Sequence, residues 1–78
     1  AVLGHCLGAA SALAAVACVL QIQEQTVFSS ANLTQPLIPL RYAPKTAEPW
    51  RVGVAMVNAF AFGGLNTCVL LGPPGPCP

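Results

Sequence analysis

The charged side chains of this 78-residue chain all lie in one middle segment, residues 24–51. They are Glu24, Arg41, Lys45, Glu48 and Arg51. Residues 1–23 and 52–78 carry no formal charge other than any proton on His5, and 55% of the chain is hydrophobic. Because charged groups stay in water, this pattern predicts two buried elements joined by a surface connection. A chain of this length builds only a small core, so we expect a larger body to bury the flanks and the isolated chain to aggregate or order poorly.

The first uncharged flank predicts a helix from Gly8 to about Gln23. Ala, Leu and Gln dominate it, and no proline occurs before Pro36. Apolar residues lie nearly all the way around this helix, which is typical of a helix buried inside a larger body. The apolar run over residues 7–20 is shorter than the roughly 20 residues that span a bilayer, and no basic segment precedes it. We therefore predict neither a membrane span nor a signal peptide.

Residues 26–50 predict a long, mostly extended crossing on the surface. Prolines interrupt it at Pro36, Pro39, Pro44 and Pro49. A short strand is predicted near residues 25–28. So long an irregular segment is uncommon in a compact small domain, which again indicates a missing body that the segment crosses.

Residues 52–62 alternate between bulky and small side chains, which predicts a strand. The bulky face holds Val52, Val54, Met56, Asn58, Phe60 and Phe62. The other face holds Gly53, Ala55, Val57, Ala59 and Ala61, and its small side chains suit close packing. Gly63 and Gly64 predict a turn, and residues 67–71 predict the returning strand of a hairpin. The Pro-rich tail, residues 72–78, is predicted to be disordered.

The cysteines and the net charge argue against several classes of site. Cys6, Cys18, Cys68 and Cys77 lack Cys-x-x-Cys spacing, and the chain has one histidine, so we predict buried thiols and no metal or cofactor. A net charge of +1 without a basic patch argues against a nucleic-acid partner.

Two stretches carry chemistry, and each has a simpler structural interpretation. His5 lies on a loop between Gly4 and Gly8, just before the predicted helix. A single histidine at such a position is more often structural than catalytic. A catalytic role is the alternative, because the positive end of the helix dipole favours a neutral ring that can donate or accept one hydrogen bond. The second stretch is a hairpin turn at Phe62 and Gly63. Its backbone N–H groups could instead face an oxyanion on a substrate carbonyl, with the Phe62 ring as a gate.

Three segments in order resemble the C-terminal part of the β-ketoacyl synthases. GHCLGAASA (residues 4–12), FSSANLTQP (28–36) and NAFAFGGLN (58–66) are similar to the family's GHxxGAAGA, a PPTANL-like crossing and NSFGFGGTN. The resemblance covers about residues 2–71. It implies an α/β fold, a fragment of the C-terminal half of the thiolase-like fold, with one buried helix, a Pro-rich crossing and a terminal β-hairpin. Thiolases are the close competitor, but they place a catalytic Cys before the Gly-rich turn, where this chain has Phe62.

The resemblance implies an acyltransferase of fatty-acid or polyketide synthesis. Such enzymes condense an acyl thioester with a malonyl thioester, both on acyl carrier protein, with loss of CO₂. His5 matches the family's second histidine, which hydrogen-bonds the malonyl thioester carbonyl as the enolate forms. Phe62 matches the gating phenylalanine, whose backbone N–H contributes to the oxyanion hole. The residues that match supports of the substrate loop are Gly63, Gly64, Asn58 and Asn66.

The chain departs from the family motifs and lacks part of the family's machinery. The departures are Ser11, Ala59, Ala61 and Leu65, where the family has Gly, Ser, Gly and Thr. The nucleophilic Cys of the family lies upstream of the matched region, and Cys6 does not match it, so we expect residues 1–71 to be a partial domain that is inactive alone. A non-catalytic chain-length-factor subunit, or less favourably a thiolase, is the alternative. The implied parent is a cytoplasmic homodimer or heterodimer without membrane contact.

Overall fold

The computed structural model describes residues 1–76, and Cys77 and Pro78 lie outside the described residues. Its regular elements are a 3-10 turn (Leu7–Ala9), helix α1 (Ala10–Glu24), and strands β1 (Thr26–Val27), β2 (Glu48–Pro49), β3 (Ala55–Ala61) and β4 (Leu65–Leu71). Over residues 1–76 these form one α-helix and two two-stranded antiparallel sheets, β1–β2 and β3–β4. The predicted α/β class is confirmed.

Helix α1 confirms the predicted helix with shifted ends. Gly8 lies in the 3-10 turn that precedes α1, and the helix ends at Glu24 because Gln25 takes a left-handed conformation, with φ of 47°. Ile22 is the one buried residue of α1, with 8% of its surface exposed. The apolar residues around the rest of the helix are at least partly exposed in this chain.

The turn and α1 together are longer than the apolar run predicted from sequence. Leu7–Glu24 is an 18-residue helical segment that is long and apolar enough to cross a membrane by length and composition alone. The helical segment is longer than the apolar run because the helix continues through Gln21 and Gln23 to Glu24. Length and apolar composition are equally typical of core helices and of signal sequences, so they assign no membrane role.

Two glutamines fix the C-terminal end of α1 to the segments that follow it. The Gln25 side-chain Nε2 donates to the carbonyl oxygens of Ile22 (2.7 Å) and Val52 (3.0 Å). The Gln21 side-chain Oε1 accepts from the backbone N–H of Phe28 at 2.9 Å. These hydrogen bonds connect the helix end to the approach of β3 and to the chain after β1.

Strand β1 confirms the short strand predicted near residues 25–28, and its partner β2 was not predicted. Thr26 pairs with Pro49 and Val27 with Glu48. Residues 28–47 between them form no helix or strand. Within this region the Arg41 guanidinium lies 4.4 Å from the centre of the Trp50 ring, a cation–π contact.

The predicted hairpin is confirmed, with different strand limits. The pairing runs from Ala55 opposite Leu71 to Ala61 opposite Leu65. Strand β3 therefore begins later than the predicted residue 52, and β4 begins earlier than the predicted residue 67. The next partners beyond Leu71 would be Gly72 and Pro73, and proline has no N–H to extend the ladder. The tail predicted to be disordered is residues 72–78. Residues 72–76 form no helix or strand, and residues 77 and 78 lie outside the described residues.

The small face of β3 packs against α1. Val57 is buried, with 7% of its surface exposed, while Ala55 and Ala59 are half-buried. The bulky face points away from α1 and leaves Met56 and Phe60 exposed. Val57 and Ile22 form the core of the described chain, and the hydrophobic surface that remains exposed agrees with a segment made to pack on more protein.

Candidate functional site

The backbone around His5 holds the imidazole ring. Nδ1 of His5 accepts a hydrogen bond from the backbone N–H of Leu7 at 2.9 Å. Leu7 itself has a left-handed conformation, with φ of 50°, which non-glycine residues seldom adopt. With the Nδ1 lone pair engaged, a neutral ring carries its proton on Nε2. His5 is exposed, so its Nε2–H is available to donate to a ligand.

A cavity of about 520 Å³ lies between the start of α1 and the hairpin, and we name it the His5 cavity. Its helix side includes His5, Gly8 and Ser11, and its hairpin side includes Asn58, Ala59 and Ala61. Two predicted site residues, His5 and Asn58, line this cavity, although Asn58 lies on the face of β3 that points away from α1. Ser11, Ala59, Ala61 and Leu65, the four departures from the family motifs, all line this cavity.

The loop between β3 and β4 lies at the edge of the His5 cavity and does not line it. Ala61 and Leu65, which flank the loop, are lining residues, whereas Phe62, Gly63 and Gly64 are not. The side chain of Phe62 is fully exposed. Gly63 and Gly64 have φ of 90° and 77°, values that suit glycine, so this pair is required by the turn itself.

The two predicted asparagine supports are in different positions. Asn58 lies opposite Cys68 and lines the His5 cavity, while Asn66 lies opposite Phe60 and does not. Neither side chain forms a hydrogen bond within residues 1–76. Their supporting role stays a prediction.

A second cavity, of about 660 Å³, brings the remaining motif to His5. It lies between the N-terminal loop and residues 29–31, and its lining includes His5, Cys6, Ser29 and Ser30. The three segments that carry the resemblance thus meet around one histidine. No pattern in the sequence singled out Ser29 or Ser30 as site residues. The only signal was the resemblance of residues 28–36, which contain them, to a family segment that lies between the other two motifs.

The other reactive groups do not assemble into a site. Cys6, Cys18 and Cys68 are free thiols, but the prediction that they are buried was wrong within this chain. Cys6 and Cys18 are half-buried and Cys68 is exposed, because the chain builds only a small core. The Cys6 sulfur lies 3.7 Å from the Gly4 carbonyl oxygen. In the part of the chain that the structure describes, no group of three or more His, Cys, Asp or Glu side chains could hold a metal ion.

A histidine donor near a glycine-containing loop is one arrangement that stabilises negative charge on a carbonyl oxygen. Residues 1–34 match the family model described as the C-terminal domain of beta-ketoacyl synthase. The chain is also 48% identical over 64 residues to Nodulation protein E of Rhizobium sp. (strain N33). This match covers 80% of the chain and 16% of that protein. The chain belongs to the β-ketoacyl synthase family.

Two further relatives cover more of the chain. A Streptomyces cyaneus protein whose name describes a polyketide beta-ketoacyl synthase is 43% identical over 75 residues, or 92% of this chain and 18% of that protein. The 3-oxoacyl-[acyl-carrier-protein] synthase 2 of Coxiella burnetii is 39% identical over 70 residues, or 87% of this chain and 17% of that protein. The chain spans about a sixth of the length of these relatives. No solved structure gives a significant match.

Proposed function

We propose that this chain forms the C-terminal part of a β-ketoacyl-[acyl-carrier-protein] synthase. The complete enzyme would join an acyl thioester to a malonyl thioester by decarboxylative Claisen condensation, with both groups delivered on acyl carrier protein. The observation that carries the proposal is the meeting of all three motif segments around His5, whose Nε2–H is free to donate. The relatives named as acyl-carrier-protein and polyketide synthases support the same substrate class.

His5 would act on the malonyl thioester. Its Nε2–H donates to the thioester carbonyl oxygen, and loss of CO₂ leaves an electron pair that spreads from the α-carbon to that oxygen as an enolate. The hydrogen bond strengthens as negative charge develops, so it lowers the barrier to decarboxylation. The α-carbon then attacks the acyl thioester carbonyl, and the cysteine thiolate that carried the acyl group leaves.

The hairpin loop would serve the acyl thioester. The backbone N–H of Phe62 contributes to the oxyanion hole, and the Phe62 ring acts as the gate. Gly63 and Gly64 let the backbone approach the substrate, and Asn58 and Asn66 support the two ends of the loop.

The proposal also covers the wider fold and setting. Residues 1–71 would be part of a thiolase-like domain in which other segments cover α1 and the outer face of the hairpin. The nucleophilic cysteine would come from such a segment, so the 78-residue chain alone would be inactive. We further propose a cytoplasmic homodimer or heterodimer with no cofactor and no membrane or nucleic-acid partner.

A chimera tests this proposal directly. In it, residues 1–71 replace the matching segment of the Coxiella burnetii 3-oxoacyl-[acyl-carrier-protein] synthase 2, which supplies the nucleophilic cysteine. We expect the chimera to load an acyl group and to form the 3-oxoacyl product from malonyl-acyl carrier protein, measured by mass spectrometry of the carrier-bound product.

The unaltered host enzyme is the positive control for this experiment. A soluble chimera that loads the acyl group but forms no condensation product would contradict the proposal and would favour the non-catalytic partner subunit. Loading is a useful reference because it requires a folded domain but no malonyl decarboxylation.

A further inference from the structure

The His5 cavity contains more hydrogen-bonding capacity than the proposed role of His5 uses. Ser11, the second residue of α1, lines it, and its hydroxyl forms no hydrogen bond within residues 1–76. The nearby Thr67 hydroxyl, in contrast, donates to the Ala59 carbonyl oxygen at 3.4 Å. Ser11 is exposed and therefore presents its hydroxyl in the cavity that His5 also lines.

The cavity is open because small residues face each other across it. Towards the C-terminal end of α1, the core residues Ile22 and Val57 are buried. Towards the N-terminal end, Gly8, Ser11 and Ala14 stand opposite Ala59 and Ala61, whose short side chains leave the gap unfilled. The helix side of this cavity carries hydrogen-bond donors, so it suits a polar group of a substrate.

We propose that the Ser11 hydroxyl binds the carboxylate of the malonyl unit; this inference rests on the proposed function. A malonyl unit has its thioester carbonyl and its carboxylate on the two sides of one carbon. A carbonyl bound at His5 Nε2 therefore places the carboxylate a few ångströms away, in the cavity that both residues line. The carboxylate accepts a hydrogen bond from the Ser11 hydroxyl, which remains a neutral donor throughout.

The residues of this chain that line the His5 cavity give the carboxylate no Lys or Arg partner, which fits a group that must leave as CO₂. During decarboxylation the negative charge moves from the carboxylate toward the thioester oxygen. A cation beside the carboxylate would stabilise the ground state more than the transition state and would slow the reaction. A single hydroxyl binds the carboxylate more weakly, so it positions the malonyl unit without that cost.

This role has a kinetic signature that separates Ser11 from His5. The Ser11 hydrogen bond is made in the ground state and lost as CO₂ departs, so it contributes to substrate binding and not to the rate of the chemical step. Removal of the hydroxyl raises KM for the malonyl thioester and leaves kcat unchanged or higher. Removal of His5 lowers kcat.

The test compares the chimera with its Ser11→Ala variant. We expect KM for malonyl-acyl carrier protein to rise roughly tenfold, the effect of one hydrogen bond to a charged group, while kcat does not fall. Acyl loading stays unchanged because the acyl donor has no carboxylate. Alanine is a better helix former than serine, so the variant is expected to fold. The matched control is Thr46→Ala, which removes an exposed hydroxyl from the crossing.

The outcomes distinguish the two proposals. An unchanged KM, or a fall in kcat, in an otherwise active Ser11→Ala chimera overturns the role of Ser11 and leaves the proposed function standing. A soluble, acyl-loading chimera without the substitution that forms no product overturns both.

Discussion

Replacement of His5 by alanine in the chimera is expected to abolish malonyl decarboxylation, with a loss of about 10²- to 10⁴-fold, while acyl loading continues. The reason is that Nε2–H is the donor left free by the Leu7 hydrogen bond to Nδ1, so the enolate oxygen loses its stabilising partner. The measurement is release of labelled CO₂ from malonyl-acyl carrier protein by the acyl-loaded enzyme.

His5→Gln is the matched control for the alanine variant. Its side-chain amide keeps a neutral N–H donor of similar reach, so we expect part of the decarboxylation rate to return. If His5→Ala instead blocked acyl loading and spared decarboxylation, the assignment of His5 to the malonyl carbonyl would be wrong.

Replacement of Gly63 by valine is expected to reduce acyl loading of the chimera by at least about tenfold. Gly63 has φ of 90°, and a β-branched residue at that angle costs of order 1–3 kcal/mol of backbone strain. The loop would relieve this strain by moving, which displaces the adjacent Phe62 N–H from the thioester oxygen. Every 1.4 kcal/mol lost from the transition state is a factor of ten in rate. The loading rate of the host cysteine is the measurement.

Gly53→Val provides the control because the two glycines differ in backbone conformation and not in surrounding space. A Cβ atom added at either position meets no heavy atom within 4 Å, and only Gly63 has a positive φ. We expect Gly53→Val to load at nearly the normal rate. Equal loss in both variants would show that the loop conformation is not what the acyl site requires.

The four departures from the family motifs acquire a common explanation from the structure. Ser11, Ala59, Ala61 and Leu65 are separated by up to 54 positions in sequence (65 − 11 = 54), yet all line the His5 cavity. Substitutions that converge on one cavity alter its shape together. Their location in the lining of the His5 cavity motivates the proposed role of Ser11, which the Ser11 experiment tests.

Local patterns predicted the regular elements well and their limits less well. The small-bulky alternation and the glycine pair identified β3, the turn and the face that packs on α1, because side-chain direction in a strand has period two. The predicted ends of the strands were wrong where pairing with a residue distant in sequence sets the end of the strand. β3 starts late because its partner strand ends before Pro73, and residues 48–49 form a strand because β1 lies beside them.

The sequence by itself determined the helix, the hairpin, the family and the identity of His5, since each depends on residues adjacent in the chain or on a motif. The tertiary structure decided what surrounds His5. It set Nδ1 against the Leu7 N–H, and it placed Ser11, Asn58 and Ser29 in the lining of the two cavities that His5 also lines. Contacts between residues far apart in sequence arise only when the chain packs, and those contacts make the site.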